Sequence, residues 1–337
     1  MNLPRNSTTY KITGTETFRL SSSKILSKWG SNLQNIEKNL RRIYVADDGY
    51  KFCQVDQAGA EALIVAYLAP KGQYRDLFLH KIKPHVFVAL HVFADQWLEK
   101  FENPQTVKLA LDSPVADLSS IPDWKKLDSF IKSSDNWKSS ERFYYLGKKI
   151  VHASSYGLGP NTFVTAVLEE SEATIVLSRR QAEQYLEYFH KLFPEIRKWH
   201  FMIQRQLNDN RVLRNLFDFP YAYTGFVGES MFKEAYAFVP QSTVGTITNI
   251  AYTKLQQYIE DNGKDWHLLA NTHDSYLVEF PDNEDEQKEV VAKMKEFIEP
   301  ELTGWDGTKF KMRSEAQVGY NWAPYKPSKN ESGLVEV

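Results

Sequence analysis

Residues 268–280 constrain the fold most, because two apolar runs are joined there by a short polar bend. This pattern predicts an antiparallel β-hairpin with His273 and Asp274 at its tip. A carboxylate held between two buried strands is a suitable ligand for a hard cation such as Mg²⁺, which prefers oxygen donors. The alternative is a turn-forming aspartate that binds nothing, since aspartate is common in tight turns.

A second aspartate stands where a strand is followed by a helix. Residues 50–56 alternate apolar and polar side chains, and the Ala/Leu-rich run 58–69 has helical spacing. Asp56 lies at the boundary, where the alternative interpretation is a helix N-cap that contributes about 1 kcal/mol. Two acids at the ends of apolar strands, far apart in the sequence, are what a two-metal phosphoryl-transfer site requires.

A third pattern is a helix with a lysine among aromatic rings. Tyr144, Lys148, His152 and Tyr156 recur every four residues and therefore share one helix face, and the Gly-containing run 157–160 ends the helix. A cation flanked by rings can bind a nucleotide through its phosphates, sugar and base. The alternative is an amphipathic helix with an aromatic core stripe, which a lysine in the middle of the stripe disfavours.

Composition places limits on location and partners. The single cysteine, Cys53, excludes an intramolecular disulfide, the N-terminus lacks a signal peptide, and no apolar run reaches the roughly 20 residues that span a bilayer. These features predict a cytoplasmic protein without a membrane partner. A formal net charge of −2 mildly disfavours nucleic acid, but basic residues cluster locally, as in 38–42, so the surface is compatible with DNA.

Further elements follow from periodicity. Residues 71–200 look mainly helical, with a capping-box start at Ser178 and a break at Pro194, whereas 112–140 is rich in Ser, Asp, Pro and Lys and predicts an irregular surface excursion. After Arg211 the pattern is mixed, with helices at 247–259 and 286–298 and a strand at 316–320. The tail from Lys326 is predicted to be disordered.

The order and spacing of these motifs resemble a family A DNA polymerase of the bacterial polymerase I type, in a phage-like version, over residues 13–322. The resemblance implies an α+β fold: a palm whose antiparallel β-sheet bears both aspartates, with a mainly helical fingers subdomain inserted. The implied boundaries are palm at 1–70 and 206–325, fingers at 71–205, and a disordered tail at 326–337.

The resemblance also implies roles for single residues. Asp56 and Asp274 would bind two Mg²⁺ ions, or Mn²⁺ in their place, with the backbone carbonyl of Gln57 as a further ligand, and Lys148 would act on the triphosphate. The implied nucleotide-binding residues are Glu61, which excludes a ribose 2′-hydroxyl, and Gln57, His152, Tyr156 and Arg142. The implied DNA-binding residues are Arg19, Gln34, Lys233, Gln241 and His273.

Several positions depart from the family pattern: Phe18 replaces a glycine, Tyr144 an arginine, His152 an aromatic ring, Lys233 an arginine, and Ser275 an acid. We expect Arg142 to take over the phosphate role that Tyr144 cannot fill. The first segment that resembles the family is Arg19-Leu20-Ser21-Ser22, followed by residues 32–36. Few residues precede it, so we also expect any thumb or proofreading exonuclease to lie on a separate chain or to have been removed.

The resemblance predicts template-directed DNA synthesis from primer-template DNA and deoxynucleoside triphosphates, in phage-type replication. A related single-subunit RNA polymerase is a second hypothesis for the enzyme. Glu61 disfavours it, because this residue is implied to exclude a ribose 2′-hydroxyl. A non-catalytic or partner-dependent DNA-binding replication subunit that kept the fold is the alternative from another class.

Overall fold

The computed structural model describes residues 6–12, 14–24, 30–138 and 141–337. In chain order, its strands are β1 (Thr9–Lys11), β2 (Ser21–Ser23), β3 (Tyr50–Gln57), β4 (Val212–Arg214), β5 (Pro220–Ala222), β6 (His267–Asn271), β7 (Ser275–Pro281), β8 (Glu301–Thr303), β9 (Lys309–Lys311), β10 (Ser314–Gly319) and β11 (Val335–Glu336). Its α-helices are α1 (Ala60–Leu68), α2 (Gln73–Leu79), α3 (Pro84–Val92), α4 (Ala94–Lys100), α5 (Pro104–Asp112), α6 (Trp124–Ser133), α7 (Phe143–Ser155), α8 (Pro160–Glu170), α9 (Arg179–Leu192), α10 (Pro194–Asp209), α11 (Glu229–Asn262) and α12 (Glu284–Ile298).

The residues form two compact units. The sheet unit comprises Met1–Ile64, Arg214–Tyr221 and Phe238–Val337, and the helical unit comprises Val65–Leu213 and Ala222–Ala237. The predicted α+β class is confirmed, since a mainly antiparallel sheet unit accompanies a helical one. The palm and fingers boundaries at 70, 205 and 325 stay a prediction.

The sheet unit is built on five antiparallel strands in the order β11-β10-β3-β7-β6. Alternate residues of its central strands, such as Val55 and Val278, are fully buried. Helix α12 packs against this face, where the Tyr276 hydroxyl donates a hydrogen bond of 2.7 Å to the carbonyl of Met294. Because residues alternate between faces of a strand, the polar Asp56 lies on the face opposite Val55.

The helical unit follows the predicted signals closely. Ser178 accepts a hydrogen bond from the backbone of Gln181, whose side chain bonds back to Ser178, so the capping box at the start of α9 is confirmed. Helix α9 ends at Leu192 and α10 begins at Pro194, as a proline without a backbone N–H predicts. At the close approach of α3 and α7, a Cβ on Gly147 would lie 2.7 Å from the carbonyl oxygen of His85.

Two predictions about irregular segments are wrong. Residues 112–140 carry α6 and two 3₁₀ turns, and the side chains of Trp124, Leu127 and Ile131 are buried at helical spacing. The tail from Lys326 is ordered, because strand β11 pairs with β10 and the Leu334 backbone donates to the carbonyl of Ala323. No helix among the described residues is long and apolar enough to cross a membrane.

Candidate active site

The predicted hairpin is formed by β6 and β7, and its tip is fixed to the neighbouring strand β3. The Thr272 backbone donates to the Ser275 carbonyl at 2.8 Å, and His273 between them adopts a φ of +74°. The carbonyl of Asp274 accepts a hydrogen bond of 3.0 Å from the Gln57 backbone. These main-chain hydrogen bonds hold the backbone of Asp274 beside β3 and so fix where its side chain begins.

Asp56 lies inside strand β3, directly opposite Ser275 of β7 and Glu315 of β10. The N-cap interpretation is wrong, because helix α1 begins only at Ala60. The register puts Asp56 next to Asp274, since Ser275 follows Asp274 in the chain. Two residues separated by 218 positions thus meet at one edge of the hairpin tip.

The electrostatics of this pair are unusual for aspartates. Burial, followed by the negative charges of Asp274 and Glu315, raises the pKa of Asp56 to about 7. Burial also raises the pKa of Asp274, although the charge of Arg19 opposes that shift. Since desolvation and like charges both disfavour ionised carboxylates, the pair carries negative charge that the protein only partly neutralises.

These donors fit a hard divalent cation. Among the described residues, no cluster of three or more His, Cys, Asp or Glu side chains forms a protein-only metal cage. Mg²⁺ does not need such a cage, because it is commonly held by one or two carboxylates together with water and substrate phosphate oxygens. Asp56 and Asp274 supply that kind of incomplete oxygen site.

Arg19 joins the same neighbourhood through Glu61. Its guanidinium forms an ion pair with the Glu61 carboxylate, and both side chains are largely buried. Burial and the charge of Arg19 lower the pKa of His273, whose Nδ1 is buried without a hydrogen-bond partner among the described residues. The sheet unit therefore brings together Arg19, Glu61, His273 and the two aspartates.

Phe18, which precedes Arg19, shows why glycine is usual at this position. Its φ is +56°, the left-handed region that glycine adopts without a Cβ penalty. The Phe18 ring makes edge-to-face contacts with Phe219 and Phe238 at centroid distances of 6.0 and 5.9 Å. Aromatic packing thus accompanies a backbone conformation that is otherwise unfavourable here.

Two predicted glutamines have internal hydrogen-bond partners. Gln34 donates to the carbonyls of Leu20 and Asn271 at 2.9 and 3.1 Å and accepts from the Ser22 backbone at 2.8 Å. The Gln57 side chain is buried and donates to the Thr248 hydroxyl at 2.7 Å. Both side chains therefore hold neighbouring segments in place. The side chain of Gln57 is engaged in this way, so its main-chain carbonyl is the group that suits the predicted role as a metal ligand. Gln241 is half-buried within α11.

The helical unit carries the predicted lysine face on α7. Tyr144 is buried, His152 is exposed, and Tyr156 is the buried C-cap residue after which Gly157 turns the chain at a φ of +66°. The His152 and Tyr156 rings meet edge to face with centroids 4.9 Å apart. Half of the stripe is core, as the amphipathic alternative predicted, and half is accessible.

Lys148 is engaged by an acid that sequence reasoning missed. Its Nζ lies 2.7 Å from Oδ2 of Asp135 and 4.3 Å from the centroid of the Tyr144 ring. Arg142, at the start of α7, donates through Nε to the Asp135 carbonyl at 3.0 Å. Both cations predicted to bind phosphate are thus held by one residue of the segment expected to be irregular. Lys233 forms an ion pair of 2.6 Å with Glu229 one turn earlier in α11.

Comparison with known proteins places this arrangement in context. No protein-family model matches the chain. It is 22% identical over 327 residues to DNA polymerase I of Pseudomonas aeruginosa, covering 94% of this chain and 29% of that protein. It is 22% identical to DNA polymerase I of Caldicellulosiruptor bescii, covering 94% and 32%, and 24% identical to the thermostable DNA polymerase I of Thermus filiformis, covering 87% and 30%. The chain thus spans about a third of the length of these relatives.

A solved structure shows the same fold. The POL domain of Pol1 from M. smegmatis, in complex with a DNA primer-template and dNTP, superposes with a TM-score of 0.66 at 19% identity, covering 94% of this chain and 47% of that one. The chain therefore has the fold of that polymerase domain. The chain is similar in sequence to proteins named DNA polymerase I and in fold to a polymerase domain, so the resemblance inferred from its motifs is confirmed.

Proposed function

We propose that this chain is a DNA-directed DNA polymerase that adds deoxynucleotides to a primer 3′-hydroxyl by two-metal phosphoryl transfer. The observation that carries the proposal is the meeting of Asp56 and Asp274 at the hairpin tip, with both pKa values raised. The named relatives and the solved neighbour, which contains DNA and dNTP, support the substrate class.

In the proposed reaction, the primer 3′-oxygen attacks the α-phosphorus of the nucleotide. A new P–O bond forms as the bond to the β-phosphate oxygen breaks, and pyrophosphate leaves. Asp56 and Asp274, with the Gln57 carbonyl, would hold two Mg²⁺ ions, for which Mn²⁺ is an expected substitute. When bound, these ions supply activation of the hydroxyl and neutralisation of the leaving group.

The remaining side chains of the sheet unit position the substrates. Glu61, held by its ion pair with Arg19, would close the space beside the sugar and exclude a 2′-hydroxyl. Arg19 would reach the primer end and His273 would lie beside the primer terminus, since both are close to Asp274. Gln241 would face the template minor groove.

The side chains of the helical unit would bind the nucleotide. Lys148 has a flexible ammonium with 39% of its side chain exposed, so it can exchange Asp135 for a triphosphate. Arg142 would add a second cation, while His152 and Tyr156 offer rings to the sugar and base. Lys233 would contact DNA from α11. Phage-type replication is part of this proposal.

Primer extension by the purified chain tests the proposal. The reaction should contain Mg²⁺, low salt and either deoxynucleotides or ribonucleotides, because electrostatic DNA binding weakens steeply with salt. Asp56→Asn and Asp274→Asn should each abolish extension. Asp282→Asn is the matched control, since it removes an acid just beyond the other end of β7 that pairs with Lys51 at 2.7 Å. Extension that survives in both aspartate variants would refute the mechanism.

The alternative is a DNA-binding replication subunit without catalysis. Tyr144 in place of the family's arginine favours this alternative, and so does the ion pair that occupies Lys148. It predicts that the wild type binds primer-template DNA but does not extend it at any enzyme concentration. Extension restored by adding a separate thumb-bearing chain would instead identify a partner-dependent polymerase.

A further inference from the structure

The sheet unit contains a basic cavity that the proposed reaction does not use. Its volume is about 490 Å³. Lys38 and Arg42 lie on one wall, and Lys326 and Lys329 of the ordered tail lie on the other. We call this the basic cavity. Two segments that are almost 300 residues apart in the chain thus place four cations around one space.

The basic cavity has no acidic side chain among its lining residues. Besides the four cations, its only polar side chains are the amides of Asn39 and Asn330. Within the described ranges, none of the four cations takes part in an ion pair. Cations brought together without a counter-charge repel each other, so an anion in the basic cavity would be bound favourably.

The tail wall is fixed by a hydrogen-bond network. The Asn330 amide nitrogen donates to the Asn321 side chain and to the carbonyl of Pro324 at 3.1 and 3.0 Å. The backbones of Lys326 and Asn330 exchange hydrogen bonds of 3.1 and 2.8 Å. This network closes the turn that presents Lys326 and Lys329, so their positions are set by the fold.

The second wall is connected to the first through Trp322. The Arg41 guanidinium lies 4.5 Å from the centroid of the Trp322 ring, and the Trp322 backbone donates to the Tyr44 carbonyl at 3.0 Å. The short 3₁₀ helix Arg41–Ile43 is therefore held against the tail. The walls of the basic cavity do not depend on a ligand for their arrangement.

The basic cavity is close to the carboxylate pair within the same unit. The charge of Lys38 is near enough to stabilise ionised Asp56, and Arg41 has the same effect on Asp56 and Asp274. A nucleic acid strand whose end reaches these aspartates would pass beside the cations of the basic cavity. Small phosphates would meet the same cations.

We propose that the basic cavity binds a phosphate group, and that this phosphate belongs to the backbone of the bound DNA. The inference rests on the proposed function only for the source of the phosphate. Lysine and arginine are the usual partners of backbone phosphates, which they contact without reading sequence. Free pyrophosphate, with the same chemistry, is the alternative source that the test distinguishes.

The test measures binding of a fluorescein-labelled primer-template by anisotropy, without divalent metal, at about 50 to 200 mM salt. The variant is Lys326→Gln with Lys329→Gln, whose side chains are exposed and make no ion pair among the described residues. The control is Lys309→Gln with Lys311→Gln, which removes the same charge from β9 of the same unit. Unfolding midpoints equal to that of the wild type would show that both variants fold.

We expect the tail variant to bind DNA about tenfold more weakly and to reduce the slope of log K against log salt by about 1.8, since each lost duplex phosphate contact contributes about 0.9. The control should change neither quantity. The second arm titrates inorganic pyrophosphate into metal-free protein by calorimetry. Unchanged DNA binding with pyrophosphate binding lost in the tail variant would overturn DNA as the source.

No change in either arm would overturn the basic cavity as a phosphate site. The binding assay also separates this inference from the proposed function, because it requires no turnover. A wild type that binds DNA through the basic cavity but never extends a primer would refute catalysis alone. A wild type that extends primers, with DNA affinity unaffected in the tail variant, would refute the DNA contact alone.

Discussion

Asp135 should weaken nucleotide binding by competing for Lys148, so Asp135→Asn should lower the KM for deoxynucleotides. The carboxylate of Asp135 takes the place at the Lys148 ammonium that a triphosphate oxygen would occupy in the proposed reaction. Its second oxygen, Oδ1, is buried without a hydrogen-bond partner among the described residues. Asparagine keeps the shape and a carbonyl oxygen but removes the competing charge.

The magnitude follows from the exposure of the pair. The Lys148 and Asp135 side chains are 39% and 28% exposed, so solvent screens their attraction. Partly exposed ion pairs contribute about 0.2–1 kcal/mol. A tenfold change in binding corresponds to about 1.4 kcal/mol, so the KM should fall by about 1.4- to 5-fold.

The assay is steady-state incorporation of a single nucleotide, with kcat and KM determined separately. Glu170→Gln is the matched control, because Glu170 pairs with Lys149, the next residue on the same helix. It should leave KM unchanged. A KM for Asp135→Asn that is equal to or higher than that of the wild type would show that Asp135 positions Lys148 for the nucleotide and does not compete with it.

Three further predictions concern stability and reactivity. Gly147→Ala should lower the free energy of unfolding by about 1–3 kcal/mol in urea because its Cβ meets the His85 backbone, whereas Gly159→Ala, with open space around its Cβ, should be nearly neutral. Burial lowers the pKa of His200 to about 4, so between pH 7 and 5 the unfolded state gains a proton that the folded state does not. The free energy of unfolding should therefore fall by about 2 kcal/mol over this range. His200→Gln should remove this part of the pH dependence measured by urea unfolding. Fully buried Cys53, whose pKa burial raises, should react with a thiol reagent only after denaturation.

Sequence predicted the elements whose signals are local. The two apolar runs around Asp274 predicted a hairpin, the alternation before Asp56 predicted a strand, and Ser178 predicted a capping box. The structure contains all three. Each depends on neighbours within a few residues.

The wrong predictions concern segments whose structure depends on contacts with residues far away in the sequence or whose composition is typical of loops. The side chain of Asn330 orders the tail by hydrogen bonds to Asn321 and Pro324. No periodic pattern in the tail predicts these hydrogen bonds. In segment 112–140 the Ser, Asp and Pro content indicates a loop, although Trp124, Leu127 and Ile131 have the spacing of a buried helix face. The ion pair of Asp135 with Lys148 is not predictable from the sequence for the same reason, since an irregular surface segment gives no reason to expect a partner for α7.

The carboxylate pair shows why the remaining charges of the sheet unit are arranged as they are. Bringing Asp56 and Asp274 together in a partly dehydrated place is unfavourable, and Arg19, Lys38 and Arg41 offset the cost only in part, since both pKa values stay raised. By contrast, the carboxylate of Glu61 is neutralised directly by its ion pair with Arg19. The charge left over is what divalent cations would neutralise, so the electrostatic cost of this site is itself an argument for metal-dependent chemistry there.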